Sequence, residues 1–187
     1  FLNAGWRSYH AAWIYQRRKH SERVITFAED AARYWKRANA GKHEQAYAAR
    51  LKGVGYRLAG EYRAAIDQGM IAVGLFQAKP PNKFGAELAL GDIGKAKSLM
   101  GDFSGAESDF KRARTMASEI GDKEGVATYS ADLAAIALET GKWVLAEELS
   151  KKALSLSHVV GRRELIALSN MRLSKAILHQ GKPREAL

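Results

Sequence analysis

Apolar residues along the chain recur at intervals of three and four, as in Leu133, Ile136 and Ala137. That spacing places them on one side of an α-helix. Leu138 follows directly, so this segment is apolar on more than one face, as befits a helix covered by neighbours on both sides. The periodic stretches are roughly 16 to 19 residues long and end at glycines or prolines, which do not continue a helix.

The breaks are themselves periodic. Gly60, Gly101, Gly141 and Gly181 are spaced 41, 40 and 40 residues apart. Glu61-Tyr62, Asp102-Phe103 and Lys142-Trp143 follow the first three, and Lys182-Pro183 the fourth. Five residues after each glycine stands Ala65, Ala106, Ala146 or Ala186, and twelve after the first three stands Ala72, Ala113 or Ala153. Seven residues before the glycines are the small residues Gly53, Gly94, Ala134 and Ser174. A second set of breaks falls between them, at Gly41, Pro80-Pro81, Gly121 and Gly161. Such a period denotes stacked helical hairpins, in which small residues at fixed offsets let two backbones approach closely. Asn82, Asp102 and Asp122 stand where side-chain oxygens can cap the following helix.

These residues resemble the tetratricopeptide repeat family, whose pattern has a small residue within helix A, a Gly-Asp-Tyr-like turn and two alanines in helix B. One copy is Leu133-Ala134, Gly141-Lys142-Trp143, Ala146 and Ala153; another is Ile93-Gly94, Gly101-Asp102-Phe103, Ala106, Phe110 and Ala113. The period of about 40 residues, against the usual 34, is similar to the long-repeat subclass found in kinesin light chain, bacterial peptide-pheromone receptors and the sensor arms of signal-transducing NTPases. A first repeat at the same spacing places Trp13, His20, Ile25 and Ala32 at the small-residue, turn-glycine and two alanine offsets, and only Ala32 fits.

The resemblance implies an all-α fold: a right-handed superhelical solenoid of antiparallel helix pairs, about five hairpins with the last incomplete. First helices are expected at roughly 5–19, 43–59, 83–100, 123–140 and 162–180. Second helices are expected at roughly 21–38, 61–77, 102–119 and 142–159, with a stub from 182. Residues 1–187 then form a single helical-repeat domain with repeats at about 1–40, 41–80, 81–121, 122–161 and 162–187. The start at Phe1 and the stop early in a second helix lead us to expect a segment of a longer chain.

Charge alters the picture at the front. The net charge is +10, but residues 1–58 carry +8, residues 101–140 carry −4 and residues 141–187 carry +5. In the family the first helices line a concave groove. Mapping the register onto it points Arg7, His10, Arg17, Tyr47, Arg50, Arg57, Asp92, Lys95, Asp132, Arg172 and Lys175 inward. Seven of these are Arg or Lys, and guanidinium forks match carboxylates and phosphates. The asparagines of the family's two-carboxylate clamp are missing, which speaks against chaperone-tail binding.

Other chemistry finds little support. The chain has no cysteine, which excludes disulfides, thiol nucleophiles and cysteine zinc sites. His10, His20, His43, His158 and His179 show no i, i+4 pairing, so no metal site and no cofactor are expected. Gly53, Gly55 and Gly60 follow no strand and precede no Lys-Ser/Thr, unlike a phosphate loop; close packing or a soft spot explains the internal pair. No Gly-x-Ser-x-Gly occurs, and the paired acids Glu147-Glu148 read as a solvated face. At the front, Trp6, Arg7, Tyr9, Trp13, Tyr15 and Arg17 interleave rings with cations, as do Arg33, Tyr34, Trp35, Lys36 and Arg37. The mixture suits stacked bases, a protein interface or plain packing.

The sequence therefore leads us to expect a non-catalytic scaffold that binds a protein or peptide partner, acidic in character, in a basic groove. A neighbouring domain of the same chain could supply that partner. The alternatives are a ligand-sensing arm of a larger signalling NTPase or transcription regulator, and nucleic-acid binding through the basic front. With no leader or apolar span in view, the expected location is cytoplasmic and away from membranes.

Overall fold

The structure is a computed structural model and describes residues 1–181. The expected stub from 182, with Lys182, Pro183 and Ala186, lies outside the described residues. The helices are α1 (Leu2–Arg17), α2 (Ser21–Arg37), α3 (Lys42–Ala59), α4 (Tyr62–Phe76) and α5 (Lys83–Leu99), followed by α6 (Phe103–Glu119), α7 (Lys123–Glu139), α8 (Trp143–Val160) and α9 (Arg163–His179). All the regular structure among the described residues is helical. The chain divides into two compact units, Phe1–Gly101 with α1 to α5, and Asp102 onward with α6 to α9.

In the first unit each helix packs against the next, and the first helices α1, α3 and α5 also touch in sequence. In the second unit α6 to α9 pack successively, and α7 also meets α9. This neighbour-only pattern is the hairpin stack that the period implied. The small residues at the repeat offsets are its seams. Ala72, Ala106, Ala113, Ala146 and Ala153 have no exposed surface, and Ala65 is buried beside them.

The turn glycines do what the spacing suggested. Gly60, Gly101, Gly121, Gly141, Gly161 and Gly181 all have φ between 69° and 84°, a region costly to residues with a Cβ. Two breaks are built differently. Gly41 is the N-cap of α3 with φ −66°, and the left-handed residue before it is Asn39, at φ 50°. The expected break at Pro80-Pro81 contains a cis Lys79–Pro80 bond and ends at Asn82, whose Oδ1 accepts from the Gly85 amide at 2.8 Å. Asp102 caps α6 in the same way at 2.9 Å. Asp122, expected to do likewise, makes no side-chain cap bond, although it stands at the N-cap of α7.

The first hairpin corrects the sequence register by one residue. Its left-handed turn residue is Lys19, at φ 57°, and His20 is the N-cap of α2. Counted from Lys19, the small residue in helix A is Ala12 and the helix B positions are Val24 and Ala31, all fully buried. The first repeat fits the pattern that Trp13, His20 and Ile25 did not, with Ala31 in place of Ala32. A lysine in place of glycine at the turn had hidden it.

The paired glycines of α3 are explained by close packing. A Cβ on Gly55 would lie 2.6 Å from Ile25 Cγ1, and one on Gly53 would lie 3.0 Å from the Ala65 carbonyl oxygen. A soft spot is not needed.

Candidate functional site

The inner faces of the first helices are described separately for each unit. In the first unit, the one-residue correction moves the α1 positions equivalent to Tyr47, Arg50 and Arg57 from Arg7, His10 and Arg17 to Trp6, Tyr9 and Gln16. The ring contacts agree. Trp6 and Tyr9 lie 6.2 and 5.6 Å from Tyr47 between ring centroids. Trp35 is fully buried beneath them, 5.0 Å from Trp6 and 6.0 Å from Tyr9. Phe76 is 4.9 Å from Tyr47. These edge and tilted contacts are the arrangements that ring quadrupoles favour. Gly5 makes room for Trp35, because a Cβ there would fall 2.4 Å from the indole.

Tyr47 is therefore held in place. It is half-buried, and its hydroxyl accepts a hydrogen bond from Asn82 Nδ2 at 3.2 Å, which ties α3 to the cap of α5. Tyr9 completes the cluster. Burial raises its phenol above the ordinary value of 10.0, an effect that the nearby Arg50 charge opposes and that Tyr47 and Asp92 reinforce.

Arg50 and Asp92 come together across α3 and α5. Nε and Oδ2 are 2.8 Å apart, with side chains 12% and 14% exposed, although the N–H is not aligned on that oxygen as a hydrogen bond. The second unit repeats the arrangement with Asp132 on α7 and Arg172 on α9, 3.7 Å apart with side chains 15% and 13% exposed. Burial lowers the Arg172 pKa, and Asp132 counters it. The expected cationic groove is thus corrected at two points, because Arg50 and Arg172 are ion-paired by the aspartates of adjacent first helices. Arg57 differs. It is half-buried near the end of α3, its Nε is enclosed without a hydrogen-bond partner, and it has no ion pair among the described residues. Gln16, its register equivalent on α1, likewise has an enclosed and unpartnered Oε1.

The remaining candidates spread out. Lys95 is half-buried on α5, while Lys175 on α9 is exposed. Arg7, His10 and Arg17 are exposed on α1, and the Arg17 guanidinium lies over the Trp13 ring at 5.3 Å. Arg23 and Arg33 similarly cover Tyr15 and Tyr34 at 5.8 and 5.9 Å. Much of the aromatic and cationic front is therefore engaged with itself. Gln16 escaped the sequence reading, and Trp6 and Tyr9 were read only as part of the aromatic and basic front, because of the displaced register. The small residue Ala12, seven before Lys19, was the available signal. Among the described residues there is no cluster of three metal-ligating side chains, and no helix is long and apolar enough to cross a membrane.

Residues 85–157 match the tetratricopeptide repeat family. The repeats are tetratricopeptide-like. No curated protein sequence matches the chain. A Podosopora anserina protein of kinesin light chain type, with nearly identical TPR-like repeats, has a TM-score of 0.73 at 16% identity, covering 96% of this chain and 88% of that one. Aspartyl phosphate phosphatase F from Bacillus subtilis has a TM-score of 0.85 at 18% identity; the match covers 98% of this chain but only 47% of the phosphatase. A Rap protein complexed with Competence and Sporulation Factor has a TM-score of 0.78 at 12% identity, covering 99% and 64%. At such identities the tetratricopeptide likeness is one of fold, which many unrelated functions share.

Proposed function

We propose that this tetratricopeptide-repeat segment is a binding scaffold that holds a protein or peptide partner of acidic character along the inner faces of its first helices. Arg57 carries the reading. It is a half-buried guanidinium with no ion pair among the described residues, on the same helix as the Tyr47 anchor. A charge kept from water without a partner costs free energy that an incoming carboxylate recovers. Arg50 and Arg172, paired internally, shape the wall and leave the capture of carboxylates to Arg57 and the exposed Lys175.

Fluorescence anisotropy with labelled peptides rich in Asp and Glu tests this. Affinity should fall between low and high salt as screening weakens the charge contacts. Arg57→Glu should abolish it, while Arg18→Glu, on an exposed turn, should leave it nearly unchanged. Binding that ignores both salt and Arg57→Glu overturns the reading. A slope of log affinity against log salt that persists only with oligonucleotides favours nucleic-acid binding through the basic front. The sensor-arm alternative rests on the fold shared with the Rap protein complex.

A further inference from the structure

The second unit contains a cavity that none of the inner-face residues lines. It lies among α6, α7 and α8 and has a volume of about 110 Å³. A cavity of about 150 Å³ accommodates benzene, so this space suits one aliphatic side chain. Its walls are Leu133 and Ile136 from α7 with Leu145 and Leu149 from α8. Leu145 is 38% exposed at the mouth, so the cavity opens to solvent instead of being a sealed packing defect.

The rim is charged and unevenly satisfied. Glu107 of α6 receives Lys111 Nζ on Oε1 at 2.6 Å and Lys142 Nζ on Oε2 at 3.3 Å. The hydrogen bond from Lys111, ahead of that from Lys142, lowers its pKa, so it stays ionised and keeps both lysines occupied. Arg114, one turn beyond Lys111 on α6, also lines the cavity. It is half-buried and has no ion pair among the described residues. An apolar hole thus sits beside a guanidinium with no ion pair among the described residues, on a rim that sets three cations against the single carboxylate of Glu107.

The geometry points to a second docking site, in which this cavity takes a leucine-like side chain from an acidic peptide segment and Arg114 pairs with a flanking carboxylate. The apolar anchor fixes position by filling the hole, and the charge pair selects acidic over basic sequences. Three helices of one unit build the site, so it is independent of the inner-face reading.

The test uses methyl-labelled protein and the peptide acetyl-Glu-Asp-Leu-Asp-Glu-amide, followed by NMR. Saturable shifts are expected at the methyls of Leu133, Ile136, Leu145 and Leu149. Replacing the peptide's leucine by alanine should weaken binding by about tenfold or more, as should Arg114→Glu, a loss typical of one removed anchor or charged contact. Arg114→Gln, neutral and of similar reach, should give a comparable loss without reversing charge on α6. Arg57→Glu should leave these shifts unchanged, which separates this site from the inner face. The proposal is overturned by an absence of saturable shifts at the four side chains, by undiminished binding in both Arg114 variants, or by equal binding of a peptide with lysines in place of the acids.

Discussion

Arg50 Nε stands 2.8 Å from Asp92 Oδ2, bridging two successive first helices inside the first unit. Both side chains are mostly withdrawn from water, so each charge depends on the other. Asp92→Asn should cost about 1–3 kcal/mol by removing the carboxylate charge that faces the half-enclosed guanidinium. Thermal or denaturant unfolding measures this. The double variant Arg50→Met with Asp92→Leu should recover much of the loss, since apolar replacements remove the desolvation cost as well. A single variant as stable as the parent would mean that the pair contributes nothing.

The displaced turn of the first hairpin is open to direct measurement. Lys19 is held at φ 57°, a conformation that costs a residue with a Cβ about 1–2 kcal/mol. Lys19→Gly should therefore raise stability by about 0.5–1 kcal/mol after the glycine's extra unfolded-state entropy is subtracted. His20→Gly, at the N-cap with φ −88°, should bring no such gain. The opposite result would restore the original register.

Tyr9 makes the first unit sensitive to alkali. Its folded-state pKa lies above the ordinary 10.0, chiefly because burial disfavours the phenolate. The unfolded chain therefore releases this proton first as pH rises. The stabilisation from the neutral phenol is complete below pH 10 and is lost as pH climbs through and beyond it. Tyr9→Phe should flatten the decline in stability above pH 10, as read by circular dichroism across an alkaline titration. An unchanged decline would remove Tyr9 as its source.

Ala146 tests the hairpin seam in the second unit. It is fully buried in a cluster with Ala137 and Ala176, where α8 lies between α7 and α9. Ala146→Leu should cost about 1–3 kcal/mol through overpacking, and an unchanged melting temperature would contradict its place in the seam.

The sequence alone determined the helices, their pairing and their seams. Glycine spacing, the alanines five and twelve residues later and the apolar period are local facts. A helix end, a cap or a close approach demands particular residue types wherever it occurs. Even so, Lys19 concealed the first repeat, since a left-handed turn can be forced on a lysine when the packing of Ala12, Val24 and Ala31 stabilises it.

What only the tertiary structure decided is which charges are spent. Asp92 and Asp132 lay in the predicted groove beside Arg50 and Arg172, but their pairing depends on the distance between helices some 40 residues apart in the chain. Nor could periodicity show that Trp6 and Tyr9 frame Tyr47, or that Arg57 and Arg114 have no carboxylate partner among the described residues. Net charge is a sum over residues. An available charge is what remains after each side chain has met its neighbours in three dimensions.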